Sequence, residues 1–215
     1  MTQNLLPTSR KSSAVIERYG NSKKFLAVFN PDMQYKYCTD VERCYTGTAP
    51  TLSTVSQAYG ETVAESWLEI QLKDLSEFAG CKEKLSVRQI EQTAKVIILN
   101  FHFLKVTEFM HFFILFKGGK FGKFYGAVDG LVITEALQDY LKLRREALDF
   151  YRRKQEEKER AAKEAEHARN AMTYAEYKEL EWLFNMGYEP WRIKAELEEQ
   201  RRQEKEKQTI KRNTI

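Results

Sequence analysis

The stretch FMHFFILFKGGKFGKFYGAVDGL, residues 109–131, decides how the chain folds, because an apolar segment ends there in a glycine-rich loop and a long helix follows. The apolar segment has no polar face, so we expect a helix that is buried or covered by a partner. Thr107 is positioned to cap this helix, and Asp129 to cap the next one, which begins near Leu131. The stretch therefore predicts two helices joined by an unusual loop.

The loop combines glycines, basic residues and aromatic residues. Glycines permit positive φ angles and a close backbone approach, so backbone N–H groups can face an anion. Ammonium groups favour phosphate, and aromatic rings can stack on the bases of a single-stranded nucleic acid. Together with two arginines of the following helix, the loop predicts a nucleic-acid-binding site formed by Lys117, Lys120, Phe121, Lys123, Phe124, Tyr125, Arg144 and Arg145.

Two other interpretations apply to the same loop. Its aromatic residues can pack inward as an ordinary loop anchor while the lysines are solvated, and this alternative stays open. A nucleotide-binding P-loop is disfavoured, because Gly118 lies one residue too close to the Gly122-Lys123 pair. Phe124 also stands where a P-loop needs Ser or Thr to hold magnesium.

Composition and charge limit the functional classes. The chain has 215 residues and a net charge of +4 from 35 basic and 31 acidic residues, so a nucleic-acid interface must be a local basic patch. The three cysteines lack CxxC spacing and there are only three histidines, so we expect no metal site and no cofactor. Without paired carboxylates, a nucleophile elbow or a metal set, we expect no enzymatic activity.

Hydropathy predicts a soluble, cytoplasmic protein with no membrane contact. The N-terminal residues form no apolar signal region, and polar residues interrupt the longest apolar window, Val96–Phe116. The odd number of cysteines also fits a reducing compartment.

Two segments before the loop are predicted to form the centre of the core. Apolar residues recur every three or four positions in Glu61–Ala79, which Gly80 ends. Ser86 and Gln89 form a capping box for a helix that runs to about Asn100. We expect these helices to pack antiparallel.

The first sixty residues carry shorter elements. Ser12 or Ser13 is expected to cap a short helix that ends at Gly20. In residues 23–37, a short apolar core precedes the turn residues Asn30-Pro31-Asp32, so both a strand and a helix stay open there. Further short helices are expected after the caps Thr39 or Asp40, and Thr51 or Ser53.

The helix that begins near Leu131 is predicted to outlast its apolar face. Its apolar positions stop near Tyr151, and residues 152–170 have no large aliphatic side chain, so this part should project from the core as a solvated helix. Thr173 and Glu176 form a capping box that opens a helical hairpin. The hairpin residues predicted to bind a partner are Trp182, Phe184 and Trp191.

These elements predict a mainly α fold: a compact multi-helix domain with a long projecting helix and a C-terminal helical hairpin. The segments around Trp67, Ile97 and Phe113 should meet in one core. The predicted division is a disordered N-terminus at 1–11, a helical globular domain at 12–151, a solvated helical extension at 152–172, a helical hairpin at 173–200 and a charged flexible tail at 201–215.

Three pieces of the sequence, LAVFNPDMQYKY, APTLSTVSQAYG and FKGGKFGKFYGAVDGLVITEALQDYL, resemble a family of uncharacterised proteins carried by prophages and conjugative elements of Bacteroidota. The resemblance covers roughly residues 14–151 and implies a role in replication, transfer or their control. Gly130 departs from it, since the family pattern leads us to expect proline there, which would stiffen the start of the long helix. The arrangement of small helices with a glycine-bearing loop is also similar in outline to phage helicase loaders.

Two functions follow as expectations. The first is a non-enzymatic accessory protein of a mobile genetic element, associated with DNA replication or transfer, which binds single- or double-stranded DNA or a replication protein through the loop. The second is a protein-interaction adaptor or regulator without nucleic-acid binding, which can also pair with another copy of the chain through the hairpin. Salt dependence separates them, because only phosphate binding weakens steeply as salt rises.

Overall fold

The computed structural model describes residues 10–187 together with residues 195, 199 and 203. The predictions for residues 1–9, for most of the second hairpin helix including Trp191, and for most of the tail at 201–215 lie outside the described residues. Within the described part, the secondary structure is helical and contains no β-strand, which confirms the mainly α class.

The helices, in chain order, follow from local capping and spacing. They are α1 (Arg10–Tyr19), α2 (Ser22–Val28), a 3-10 turn (Pro31–Met33), α3 (Gln34–Cys38), α4 (Val41–Thr46), α5 (Leu52–Tyr59), α6 (Glu61–Phe78), α7 (Val87–Phe101), α8 (Val106–Lys117), α9 (Gly130–Asn170) and α10 (Tyr174–Asn185).

Several predicted caps are confirmed because each side chain satisfies a backbone N–H of the first turn. The Asp40 carboxylate accepts the Arg43 N–H, and the Thr51 hydroxyl accepts the Thr54 N–H. Reciprocal capping boxes are present at the start of α7, between Ser86 and Gln89, and at the start of α10, between Thr173 and Glu176. These helix starts are therefore local properties of the sequence.

Two predicted caps are wrong. Helix α1 already includes Arg10, and Ser12 lies buried within the helix instead of capping it. Helix α8 begins at Val106, one residue before Thr107, because the Glu108 carboxylate accepts the Lys105 backbone N–H at 2.8 Å. The Thr107 hydroxyl donates instead to the Cys44 carbonyl at 3.0 Å, which ties α8 to α4.

Residues 23–37, for which both a strand and a helix were expected alternatives, form α2, the 3-10 turn and most of α3. The strand alternative is therefore wrong. Phe25 and Phe29 stand one helical turn apart, and their ring centroids are 5.0 Å apart in the core. The Phe29 carbonyl, at the end of α2, accepts hydrogen bonds from the side chains of Trp67 at 2.7 Å and Gln71 at 2.9 Å. These two α6 side chains thus supply hydrogen bonds to a carbonyl at the end of α2, and no pattern in the neighbouring sequence predicts them.

The core is a single cluster that draws on helices α2 and α4 to α9. Trp67, Ile97 and Phe113 are all buried in it, as predicted. Helix α8 is buried nearly all round, since most of its apolar residues and its first-turn Glu108 are buried. The chain therefore packs its shorter helices around α8, which places the following loop at the edge of a rigid core.

Helix α9 begins against α7 and runs through two compact units, Met1–Gln155 and Glu156–Ile215. The Asp129 carboxylate accepts the Leu131 N–H at 2.8 Å, as expected for a cap. A Cβ on Gly130 would overlap the Thr93 hydroxyl, so glycine lets α9 start in contact with α7. The position where the family pattern predicts proline is thus occupied by a glycine that packs closely against Thr93 of α7. In the described part of the chain, no helix is long and apolar enough to cross a membrane.

Candidate nucleic-acid interface

The loop between α8 and α9 is held in place by backbone hydrogen bonds. The Lys120 N–H donates to the Leu115 carbonyl at 3.0 Å, and the Gly122 N–H donates to the Gly119 carbonyl at 3.2 Å. Gly119, Gly122 and Gly126 have positive φ angles, which other residues adopt at a cost. The glycines therefore permit a tight loop.

Its aromatic residues divide into two groups. Phe124 stacks on Phe116 of α8 with ring centroids 5.1 Å apart, and Phe121 packs on Phe112 at 5.4 Å. Tyr125, by contrast, is 92% exposed. The inward-packing interpretation thus describes the two phenylalanines, whereas Tyr125 is open to solvent.

The basic residues divide in the same way. Lys117 lies in a salt bridge with Asp74 of α6 at 2.6 Å, its side chain is 9% exposed, and it also donates to Gln34 at 3.0 Å. Its charge is neutralised, because Asp74 supplies the acid that the loop sequence lacks. Lys120 and Lys123 are exposed.

The two arginines of α9 also differ from each other. The Arg144 Nε donates to the Glu108 carboxylate at 2.8 Å, whereas Arg145 is exposed. Glu108 stands in the first turn of α8 and Lys117 at its end, which are separated by roughly 14 Å along the axis at 1.5 Å per residue. The structure therefore does not bring Arg144 together with the loop.

A second basic loop, which the sequence analysis missed, lies beside the first. The Glu83 N–H donates to the Gly126 carbonyl at 3.4 Å, and the Val128 N–H donates to the Glu83 carbonyl at 3.0 Å. This bridge carries Lys82 and Lys84, both exposed, to the α8–α9 loop. We call the combined surface of Lys82, Lys84, Lys120, Lys123 and Tyr125 the two-loop surface. In the sequence, the Lys82-Glu83-Lys84 triplet is the signal that could have indicated this second loop.

A buried ionic contact joins α8 to α9. Glu108 is 0% exposed; burial raises the pKa of its carboxyl, while the Lys105 backbone N–H and the Arg144 guanidinium act in the opposite direction. The Lys105 ammonium turns away and donates to the Tyr45 carbonyl at 2.5 Å and the Gly47 carbonyl at 2.8 Å. The group thus anchors the start of α8 on its neighbours.

A hydrogen-bonded chain of rings continues this buried polar region. The His111 Nδ1 lies 3.2 Å from the Tyr45 hydroxyl and 3.4 Å from the Tyr140 hydroxyl. Burial lowers the pKa of His111 and raises the pKa of Tyr45 and of Tyr140. The three groups therefore stay neutral near pH 7, and His111 is a hydrogen-bonded core residue.

The buried polar side chains in the described part of the chain all have hydrogen-bond partners. Among the described residues, no buried side-chain nitrogen or oxygen lacks a hydrogen-bond partner. Nor do those residues include a group of three His, Cys, Asp or Glu side chains placed to hold a metal ion. Glu108, His111 and the two tyrosines form hydrogen bonds that join α4, α8 and α9.

The hairpin residues predicted to bind a partner are placed only in part. In α10, Trp182 is 58% exposed and Phe184 is 60% exposed, while no residue of that helix is buried. Trp191 lies outside the described residues. Helix α10 thus presents an exposed aromatic surface.

A family model matches part of the chain. Residues 84–185 match the model of a family described as a family of unknown function (DUF6633). The match extends from the second basic loop through α10 and leaves α1 to α6 outside it. No curated protein and no solved structure matches the chain. The protein is thus similar, over slightly less than half its length, to an uncharacterised family.

Proposed function

We propose that this protein is a non-enzymatic, cytoplasmic accessory protein that binds nucleic acid through the two-loop surface. The observation that carries the proposal is Tyr125, an aromatic side chain 92% exposed on a loop whose other aromatic residues are packed inward. An exposed ring can stack on a base. Packing of Phe121 and Phe124 on α8 holds the loop that carries this ring.

The charges beside Tyr125 support the same proposal. Lys120 and Lys123 are exposed in its own loop, and Lys82 and Lys84 are exposed in the adjoining one. Glu83 lies between Lys82 and Lys84, and the net charge of these four lysines and Glu83 is positive. Exposed ammonium groups and an exposed ring in two adjoining loops suit a single strand, whose phosphates and bases are both accessible. Lys117 and Arg144 form ion pairs and take no part.

The biological setting of the proposal comes from the sequence resemblance. The loop phrase resembles proteins of Bacteroidota prophages and conjugative elements, so we place the protein on a mobile genetic element, in DNA replication or transfer. Its expected partners are single- or double-stranded DNA and a replication protein such as a helicase complex. The loop that would contact DNA and the loop phrase that carries the resemblance are the same segment.

The test is the salt dependence of binding to a single-stranded oligonucleotide, measured by fluorescence anisotropy between 50 and 200 mM salt. Replacing both Lys120 and Lys123 by Ala should lower the magnitude of the salt slope by about 1.4, at roughly 0.7 per lost phosphate contact. Tyr125→Ala should weaken binding by roughly 1 to 3 kcal/mol without changing the slope. Lys117→Ala removes one lysine charge from the same segment and serves as the control, with an unchanged slope expected.

An absence of salt-sensitive binding at 50 mM salt to single-stranded and double-stranded DNA and to RNA would reject the proposal. A fall in slope of about 0.7 for Lys117→Ala would also contradict it, because a lysine paired with Asp74 has no phosphate contact to lose.

The exposed aromatic surface of α10 favours a second candidate, a protein-interaction adaptor. Tyr174, Tyr177, Trp182 and Phe184 are all exposed on this one helix, and exposed aromatic clusters are typical of protein interfaces. If the partner is another copy of the chain, sedimentation should show concentration-dependent dimers that the double change Trp182→Ala and Phe184→Ala abolishes. Sedimentation as a monomer at every concentration would exclude self-association.

A further inference from the structure

A cleft lined by residues between Arg18 and Ala49, and by Thr107, carries an excess of positive charge. It shares no residue with the two-loop surface. It has a volume of about 360 Å³ and lies between α1, α3, α4 and the segment that follows α4. Its walls carry the basic side chains of Arg18, Lys36 and Arg43 and one carboxylate, Asp40. We call it the basic cleft. Its size falls at the lower end of the range for small-molecule sites.

The charges of the basic cleft are not balanced by protein acids. Asp40 already accepts the Arg43 backbone N–H at 3.0 Å as the cap of α4. In the part of the chain that the structure describes, Arg18, Lys36 and Arg43 make no ion pair. Three cations against one carboxylate repel one another, and an anion between them would relieve that repulsion.

Tyr19 lines the cleft together with both arginines. Burial raises the pKa of its hydroxyl, and the positive charges of Arg18 and Arg43 act in the opposite direction.

Local contacts hold part of this arrangement in place. The Arg18 guanidinium donates to the Thr48 hydroxyl and lies 5.4 Å from the centre of the Tyr19 ring. A Cβ on Gly47 would overlap the Arg43 carbonyl oxygen and lie 3.2 Å from the Arg43 Cγ. Glycine at this position therefore allows the chain to pass close to Arg43. Such fixed donors lower the entropy cost of binding a ligand.

We propose that the basic cleft binds the phosphate group of a phosphate monoester. Guanidinium groups match phosphate oxygens with pairs of N–H donors, and an ammonium adds a point charge. The Thr48 hydroxyl lines the same space and, while it accepts from Arg18, keeps its own proton to donate. A volume of about 360 Å³ also leaves room for an organic group attached to the phosphate. The monoester is either a free small molecule or the phosphorylated end of a nucleic acid.

Calorimetric titration with inorganic phosphate and with a nucleoside 5′-monophosphate tests the proposal on the full chain. Both should bind, and the unphosphorylated nucleoside should not. Arg43→Gln and Lys36→Gln should each weaken binding by about tenfold or more, as expected for loss of a charged hydrogen-bond donor. Lys95→Gln, which removes an exposed charge from α7, is the matched control and should leave the affinity unchanged. Urea unfolding of each variant verifies that it is folded.

A pair of oligothymidylates, with a 5′-phosphate or a 5′-hydroxyl, separates the two sources of the monoester. Tighter binding of the phosphorylated strand that Arg43→Gln abolishes, and that loss of Lys120 and Lys123 preserves, would assign the site to nucleic-acid ends. Equal binding of the two strands, with the nucleoside monophosphate still bound, would assign it to a free small molecule. The proposal is overturned if neither phosphate nor the monophosphate binds at millimolar concentration, or if folded Arg43→Gln and Lys36→Gln bind both as the unchanged chain does.

Discussion

The two parts of α9 have the same backbone conformation and contrasting surroundings. From Gly130 to Tyr151 the helix buries Ile133, Ala136, Leu137 and Tyr140 in the core, whereas every residue from Gln155 to Asn170 is exposed. The first part is stabilised by tertiary packing. The second is rich in alanine and has oppositely charged residues at four-residue spacing, such as Glu156 and Arg160, a sequence pattern that favours a solvated helix. The contrast shows that one regular helix can have two different sources of stability.

The largest effect is expected where packing stabilises the helix. Leu137 is fully buried, so Leu137→Ala should lower the free energy of unfolding by roughly 2 to 5 kcal/mol through loss of burial and a cavity. Leu131→Ala, at an exposed position one and a half turns earlier, should change it by less than about 0.5 kcal/mol. Urea denaturation measures both. Equal costs would show that the first part of α9 does not depend on packing.

The next largest effect concerns the buried ion pair that joins α8 to α9. Glu108→Ala leaves the Lys105 N–H and the Arg144 guanidinium without their carboxylate and should cost about 3 kcal/mol. Asp139→Ala removes an exposed ion pair with Lys142 within α9 and should cost less than about 0.5 kcal/mol. Similar unfolding midpoints for the two variants would contradict the anchoring role of Glu108.

A smaller effect is expected where only local interactions act. Amide hydrogens should exchange rapidly between residues 160 and 170 and slowly near Leu137, because protection follows packing. Ala162→Gly should cost about 1 kcal/mol of local helix stability and speed exchange there about fivefold, with no change near Leu137. Mass-spectrometric hydrogen exchange gives both rates. Slow, uniform exchange along α9 would remove the distinction between its parts.

The smallest effect concerns His111, which contacts Tyr140 of the packed part of α9. Burial lowers the pKa of His111 below its ordinary value of 6.5, so the unfolded chain binds a proton there more readily than the folded chain. The His111 contribution to stability should therefore fall as pH is lowered from 7 to 5, and His111→Gln should remove that part of the pH dependence. His167→Gln, in the exposed part, should keep the original dependence. Identical pH profiles for all three proteins would be inconsistent with a buried neutral imidazole.

Elements with local causes were predictable from the sequence. The starts of α5, α7 and α10 depend on side chains within three residues of the capped N–H, so the sequence contains the whole interaction. Helix α2 was left open because its end is satisfied by Trp67 and Gln71, about forty residues away. The cap of α8 was misassigned for a related reason, since the Thr107 hydroxyl bonds to Cys44.

The same distinction separates the predictable and unpredictable parts of the candidate interface. A glycine-rich loop with lysines and aromatic residues was evident in the sequence. Which of them are open was not, because Phe124 depends on Phe116 and Lys117 on Asp74, 43 residues earlier. Lys82 and Lys84 join the surface through the backbone bridge of Glu83, and no side-chain pattern encodes that pairing.

By itself, the sequence determined the helical class, most helix boundaries and the position of the glycine-rich loop, because capping and periodicity act over a few residues. Only the tertiary structure decided which charges are neutralised and which stay open. It paired Glu108 with Arg144 in the interior and gathered Arg18, Lys36 and Arg43 around one cleft. Burial and ion pairing depend on groups far apart in the chain, and their positions follow only when the whole core has packed.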